Sequence, residues 1–351
     1  VSEDAKELQQ VIDAAVPDVT PAAVAVVSID GRVVSQAVGG ELARFADTRE
    51  TLLPERAPAG VDTVFDLASL TKLYVTVVAL SLVDEGALAL DEPVERWLPE
   101  YGDSAWVTLR QLLTHTSGLP DVYTPRGVDD ASRWRSIMSV MLLDAPGTVH
   151  RYSCVGFQVA GKVVESAGGA GLGELLRKRI AEPLGLTATG FLPDDASRCA
   201  ATEIDDRGTV RGVVHDEASY ALGGVAGNAG VFGTAPEVLR FAEALRTGEL
   251  LSPASAELMR TPQTDIPVDS GWRQALGARI GDPAICGPLT DGYGHTGFTG
   301  TSLLIDDSRN ASAVLLTNRV HPSRTRSTVN PVRCAVAQVT DSIWRTQRHG
   351  A

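Results

Sequence analysis

Basic residues are the minority charge in this sequence: 31 Lys and Arg stand against 44 Asp and Glu, a formal net charge of −13. Binding along a nucleic-acid backbone or an anionic lipid surface begins with clustered Lys and Arg, so the deficit argues against both as partners. The one basic cluster, Arg319 to Arg326, reads as a solvated loop. Cysteine is scarce too. Cys154, Cys199, Cys286 and Cys334 are far apart and form no Cys-x-x-Cys pair, which leaves neither a disulfide framework nor a cysteine-built zinc site. Aromatic residues make up 5%, and Trp97, Trp106, Trp134, Trp272 and Trp344 are scattered. No internal repeat or low-complexity tract is present, and no membrane span is expected. Val1 to Val16 lacks the basic start, apolar stretch and cleavage site of a secretory signal, which favours a cytoplasmic location unless a leader was trimmed before Val1.

What remains is the composition of an ordinary globular protein, 44% hydrophobic and 21% charged. At 351 residues the chain predicts two domains or one large composite domain. Glu7, Leu8, Val11, Ile12 and Ala15 fall at helical spacing, and Val24 to Ile29, Asp30-Gly31 and Arg32 to Val38 read as a β-hairpin. The other end mirrors this order. Thr301 to Ile305 and Ala311 to Thr317 read as strands around the turn Asp306 to Asn310, and Val332 to Arg345 reads as a helix. Between them the pattern is mainly helical: Leu70 to Leu82, Leu109 to Thr114, Ser132 to Leu142, Phe157 to Ala167, Leu172 to Ile180 and Pro236 to Leu245. A lone hairpin is rarely stable, so the two ends are expected to share one sheet, with the middle as a helical insertion.

The helix beginning near Ser69 is apolar nearly all round, the mark of a core helix, yet it carries Lys72. A buried ammonium costs several kcal/mol unless it is paired or loses its proton. Ser69 lies three residues earlier, on the same helix face and within hydrogen-bond reach. That is a nucleophile beside a base, with the helix terminus favouring an alkoxide and burial drawing the Lys72 pKa down. Taken alone, the pair also fits a helix cap and a lysine whose head reaches the surface. Tyr152, after the turn Pro146-Gly147, is a second candidate proton carrier if a cation stands beside it, or else a core tyrosine. Gly294-His295-Thr296-Gly297-Phe298-Thr299-Gly300 runs into the strand Thr301 to Ile305. Its glycines allow a substrate to approach a strand edge, whose free N–H groups suit an oxyanion; the bland alternative is a turn into a hairpin.

Ser69-x-x-Lys72, Tyr152-Ser153-Cys154 and His295-Thr296-Gly297, in that order, resemble the serine β-lactamase and penicillin-binding protein superfamily, whose motifs are Ser-x-x-Lys, Tyr-x-Asn or Ser-x-Asn, and Lys-Thr-Gly or His-Thr-Gly. Leu82-Val83-Asp84-Glu85-Gly86 with Leu90 to Val94, LRQLLTHTSGLP at Leu109 to Pro120, and YALGGVAGNAGVFGT at Tyr220 to Thr234 are similar to the class C branch with its esterase, D-peptidase and transacylase relatives. The resemblance spans roughly Val24 to Thr317. It implies an α/β fold: an antiparallel sheet flanked by helices, built from residues 1–67 and 270–351, with a mainly helical domain at 68–269 and the active site in the cleft between them. It also implies Ser69 as nucleophile, Lys72 as base, Tyr152 as proton shuttle, and the backbone N–H groups of Ser69 and Phe298 as oxyanion hole. Cys154, His295, Thr296 and Gly297 would bind substrate, and no metal or organic cofactor is called for.

Cys154 departs from the pattern, since penicillin-handling members carry Asn there and a thiol replaces an amide poorly. The expected activity is therefore acyl transfer from a small-molecule ester or amide to water, an amine or an alcohol, as in an esterase or a transacylase of natural-product assembly. D-peptidase or weak β-lactamase activity is the alternative, and a catalytically silent peptidoglycan-binding relative is the alternative of another class. Ser117 beside His115 suggests a Ser–His–Asp hydrolase, but no Gly-x-Ser-x-Gly elbow accompanies it and the phrase fits a structural turn. His215-Asp216 lacks further metal ligands at useful spacing and reads as an ordering hydrogen-bond pair in a loop that can face the cleft.

Overall fold

The structure is a computed structural model and describes residues 3–101 and 106–349; Val1 and Ser2, the start of the stretch read above for a leader, lie outside them. In chain order the elements that build the molecule are α1 (Glu3–Ala15), β1 (Ala22–Ile29), β2 (Arg32–Gly40), β3 (Phe65–Asp66), α2 (Thr71–Asp84), α3 (Leu109–Leu113), α4 (Asp130–Met138), α5 (Cys154–Gly168) and α6 (Leu172–Leu176). The second half adds α7 (Glu182–Leu184), β4 (Gly190–Phe191), the small hairpin β5 (Ile204–Asp205) and β6 (Gly208–Thr209), α8 (Glu217–Ala221), β7 (Val231–Gly233), α9 (Ala235–Thr247) and α10 (Pro253–Leu258). Then follow β8 (Arg273–Gln274), β9 (Arg279–Ile280), β10 (Tyr293–Thr296), β11 (Ser302–Asp306), β12 (Ala311–Thr317) and α11 (Asn330–His349).

The main sheet is antiparallel with strand order β2-β1-β12-β11-β10-β9-β8, so the two ends of the chain meet where β1 pairs with β12. β1 is apolar at every position but Ser28 because both of its faces are covered. Ala23, Ala25 and Val27 pack with Leu8 and Ile12 of α1 and Val336, Val339 and Ile343 of α11. Ala22, Val24 and Val26 face the larger core shared with α2 and α9. The β1–β2 hairpin turns through Asp30 and Gly31, both at positive φ, as the Asp-Gly pair predicts. α2 is buried on all sides, and Tyr74 stacks on Phe241 of α9 with ring centroids 3.9 Å apart.

Three expectations shift. The helix expected over 132–142 starts earlier, because Asp129 and Ser132 form a capping box, and ends at Met138, where the chain turns so that the Leu143 N–H reaches the Gly118 carbonyl (2.7 Å). The helix expected over 172–180 is α-helical through Leu176 and then widens into a π turn, Arg177–Ala181. The strand bearing His295 is not the edge of the sheet, since the short hairpin β8–β9 lies outside it. β9 pairs with Tyr293 and Gly294 and stops short of His295 and Thr296, leaving a local edge there.

Candidate active site

Ser69 stands at the junction of β3 and α2. Asp66 ends the strand, and its Oδ1 accepts the Ala68 N–H at 2.8 Å. That bond holds Ala68 at a φ of 48°, a conformation that strains an alanine and lifts the next residue out of the strand direction. Ser69 follows in a single 3₁₀ turn, Ala68–Leu70, that leads into α2. Thr299 and Thr301 stitch the turn to the other motif, donating to the carbonyls of Asp66 (2.8 Å) and Leu67 (3.0 Å). Gly297 is required at this closure: a Cβ there would lie 2.6 Å from the Leu67 carbonyl oxygen and 2.0 Å from the Thr301 hydroxyl.

Lys72 is fully buried. Its Nζ donates to Ser69 Oγ at 3.0 Å and to the Asn228 carbonyl at 3.0 Å, with Cys154 Sγ at 3.7 Å. The Asn228 carbonyl gets this close because Gly227 lies on the α5 backbone, where a Cβ would stand 1.9 Å from the Phe157 carbonyl oxygen. Burial pulls the Lys72 amine down, whereas negative charge on Cys154, Tyr152 or Asp216 beside it pulls the amine above its ordinary value. The lowering that burial alone predicts is thus opposed by these neighbours.

Tyr152 sits just ahead of α5, whose N-cap Ser153 accepts from the Gly156 N–H (2.9 Å) and donates to the Pro120 carbonyl (2.6 Å). The phenol ring lies between two basic groups, Lys72 Nζ at 5.0 Å and the Arg279 guanidinium at 5.2 Å from its centroid. His115 packs against it at 4.5 Å and uses Nδ1 to accept the Ser153 N–H at 3.0 Å. Burial, with Lys72, His150 and Arg279 nearby, pushes His115 well below the usual imidazole range, so it stays neutral. The phrase around His115 and Ser117 is thus a buried turn. Burial raises the Cys154 thiol more than Lys72 lowers it, which keeps the sulfur protonated and a poor nucleophile.

Ser69, Tyr152, Thr296, Gly297 and Phe298 share the wall of one cavity of about 340 Å³. His295 does not line it. It is buried, with Nδ1 bound to the Thr296 carbonyl at 2.7 Å and its ring 6.0 Å from that of Tyr152, because alternate strand residues face opposite sides. Three arginines missed in the sequence do line the cavity: Arg279, Arg319 and Arg333. Arg333 donates to the Gly297 and Thr301 carbonyls, each at 2.8 Å. Arg319 grips the Phe298 carbonyl through Nε (3.1 Å) and Nη2 (2.8 Å).

The basic tract is therefore not a solvated loop. Arg324 binds Glu203 and Glu217, Arg326 binds Glu50, and the tract folds against these acids beside the cavity. Trp272 lies under the guanidinium of the cavity-lining Arg279, at 4.3 Å. Among the described residues no cluster of His, Cys, Asp or Glu could hold a metal ion, and no helix is long and apolar enough to cross a membrane.

The chain and its fold have parallels in known proteins. Esterase EstB of Burkholderia gladioli is 32% identical over 357 residues, covering 85% of this chain and 86% of its own. An N-acetylmuramyl-L-alanine amidase of Bacillus subtilis (strain 168) is 31% identical over 90% of this chain and 81% of its own. Among solved structures, EstCE1, described as a hydrolase with promiscuous acyltransferase activity, aligns with a TM-score of 0.75 and 27% identity, over 95% of this chain and 98% of that one. The Beta-lactamase family model matches residues 8–338. The chain belongs to the Beta-lactamase family, as a serine hydrolase or acyltransferase.

Proposed function

We propose that the protein transfers acyl groups from small ester donors through an acyl-enzyme on Ser69, with water, an alcohol or an amine as acceptor. The observation that carries the reading is the 3.0 Å contact between the buried Lys72 amine and the Ser69 hydroxyl on the wall of the cavity. Tyr152 serves as the proton carrier while the Lys72 amine holds the Ser69 hydroxyl. It takes the Ser69 proton as Oγ bonds to the acyl carbon, and returns that proton to the departing oxygen as the ester bond breaks. The backbone N–H groups of Ser69 and Phe298 meet the oxyanion, and Arg319, by holding the Phe298 carbonyl, fixes the orientation of that residue's backbone. In the second half Tyr152 takes the acceptor's proton as the acceptor attacks the acyl carbon, and passes it to Ser69 Oγ as the acyl–Oγ bond breaks.

Esters are favoured over β-lactams because Cys154 stands where an amide would hold an acylamino side chain. The esterase and the hydrolase-acyltransferase among the relatives support that preference; the amidase supports a second reading, cleavage of amide bonds in cell-wall peptides. A p-nitrophenyl ester should give a burst of one phenol per enzyme, and an added alcohol should speed turnover without changing the burst. No burst, with amide substrates cleaved faster than esters, would favour the second reading.

Tyr152→Phe keeps the ring contacts and should slow acylation by about 10²-fold or more, the scale of a lost proton carrier. A normal rate and pH profile would leave the proton to Lys72 and water. Cys154→Asn should raise cephalosporin turnover about tenfold, the worth of one restored hydrogen bond, while Cys154→Ser keeps ester turnover. Abolished activity in Cys154→Ser would move the nucleophile to the thiol.

A further inference from the structure

The loop before α8 touches both halves of the site without lining the cavity. The His215 backbone N–H donates to Asp66 Oδ2 at 2.7 Å, and the other oxygen of that carboxylate is the one that holds Ala68 in its strained conformation before Ser69. The His215 ring lies on Phe298, with centroids 5.7 Å apart and planes 20° from parallel. That ring is in turn fixed by Nε2, 2.9 Å from Glu203 Oε2, and Glu203 also accepts the N–H (2.8 Å) and Nε (2.7 Å) of Arg324. One residue thus touches both the carboxylate that holds the turn before Ser69 and the ring of Phe298.

The next residue addresses the lysine. Asp216 Oδ1 accepts from the Ser219 N–H (2.7 Å) and from Asn228 Nδ2 (3.2 Å), and Asn228 Oδ1 accepts from Ser219 Oγ (3.0 Å). Both ends of the Asn228 amide are pinned, and its backbone carbonyl is the one that receives Lys72 Nζ. A fully buried asparagine with this many bonds has one orientation open to it.

We infer that His215 and Asp216 are paired positioning residues, the first aligning the oxyanion donors at Ser69 and Phe298, the second fixing the Asn228 carbonyl that holds Lys72. The inference rests on Ser69 being the acylated residue. A purely structural role would lower melting temperature and the fraction of active enzyme while leaving the remaining sites normal; a positioning role changes each surviving site.

The test uses His215→Ala, Asp216→Ala and Asp216→Asn, with active sites counted by the p-nitrophenol burst so that misfolded protein drops out. Per active site, His215→Ala should lose about 30-fold or more in kcat with KM within threefold, and should weaken a reversible boronic acid inhibitor by a similar factor, because the boronate adduct mimics the tetrahedral oxyanion. Asp216→Ala should lose at least about tenfold in kcat, and Asp216→Asn, which keeps the accepting oxygen, should recover to within threefold of the parent. Overturning results are His215→Ala turning over within threefold per active site, boronate affinity unchanged, or Asp216→Asn no better than Asp216→Ala. A parent enzyme that a p-nitrophenyl phosphonate labels elsewhere than at Ser69 would instead sink the Ser69 reading itself.

Discussion

Ser69→Ala should lower ester turnover by at least about 10³-fold while the protein folds and melts as before. The magnitude follows from removing the atom that carries the acyl group: nucleophile and base act as one unit whose loss is not shared out. The fold should tolerate the change because Ser69 is only partly buried and Lys72 keeps its bond to the Asn228 carbonyl. Steady-state assay with a p-nitrophenyl ester, alongside a thermal melt, checks both halves. Turnover within tenfold of the parent would mean that another residue is acylated.

Lys72→Met should cost a similar factor, about 10³-fold or more, for a different reason. The unbranched thioether fills the space of the lysine stem in the α2 core, so packing is kept and the amine alone is lost. Without that amine 5.0 Å from the Tyr152 ring, the proton carrier has lost its polar neighbour, and Ser69 Oγ has lost its donor. Methionine fills the stem's space but leaves the buried Asn228 carbonyl without its donor, a cost of about 1–3 kcal/mol, so the melting temperature should fall modestly while the protein still folds. A variant that keeps most of its activity would show that Arg279, on the Tyr152 ring at 5.2 Å, suffices as the polar neighbour.

The sequence carries the fold in its periodicities. An apolar strand such as β1 announces burial on both faces, and the Asp30-Gly31 turn announces the hairpin. The site was legible where chemistry forces a short-range pattern: Ser69 and Lys72 are one helical turn apart, and that spacing survives folding as a 3.0 Å contact. What could not be read is long-range. Arg319, Arg333 and Asn228 act through backbone carbonyls, or through their own, and a carbonyl leaves no signature in residue identity. The neighbours that oppose burial at Lys72 are equally long-range, since Cys154 and Tyr152 lie some 80 residues away in the chain whereas the apolar helix shows only the burial. His295 was assigned to the cavity from its place in the motif, but strand alternation turns it to the buried side, and β8–β9 were too short to register as strands.

The account turns on which atom carries the acyl group. Intact-protein mass spectrometry after reaction with a p-nitrophenyl phosphonate, followed by peptide mapping, addresses it directly. The expected result is one adduct per chain, on the peptide containing Ser69, absent in Ser69→Ala and slowed in Tyr152→Phe. An adduct on Cys154 or Ser117, or labelling that persists in Ser69→Ala, would contradict the mechanism.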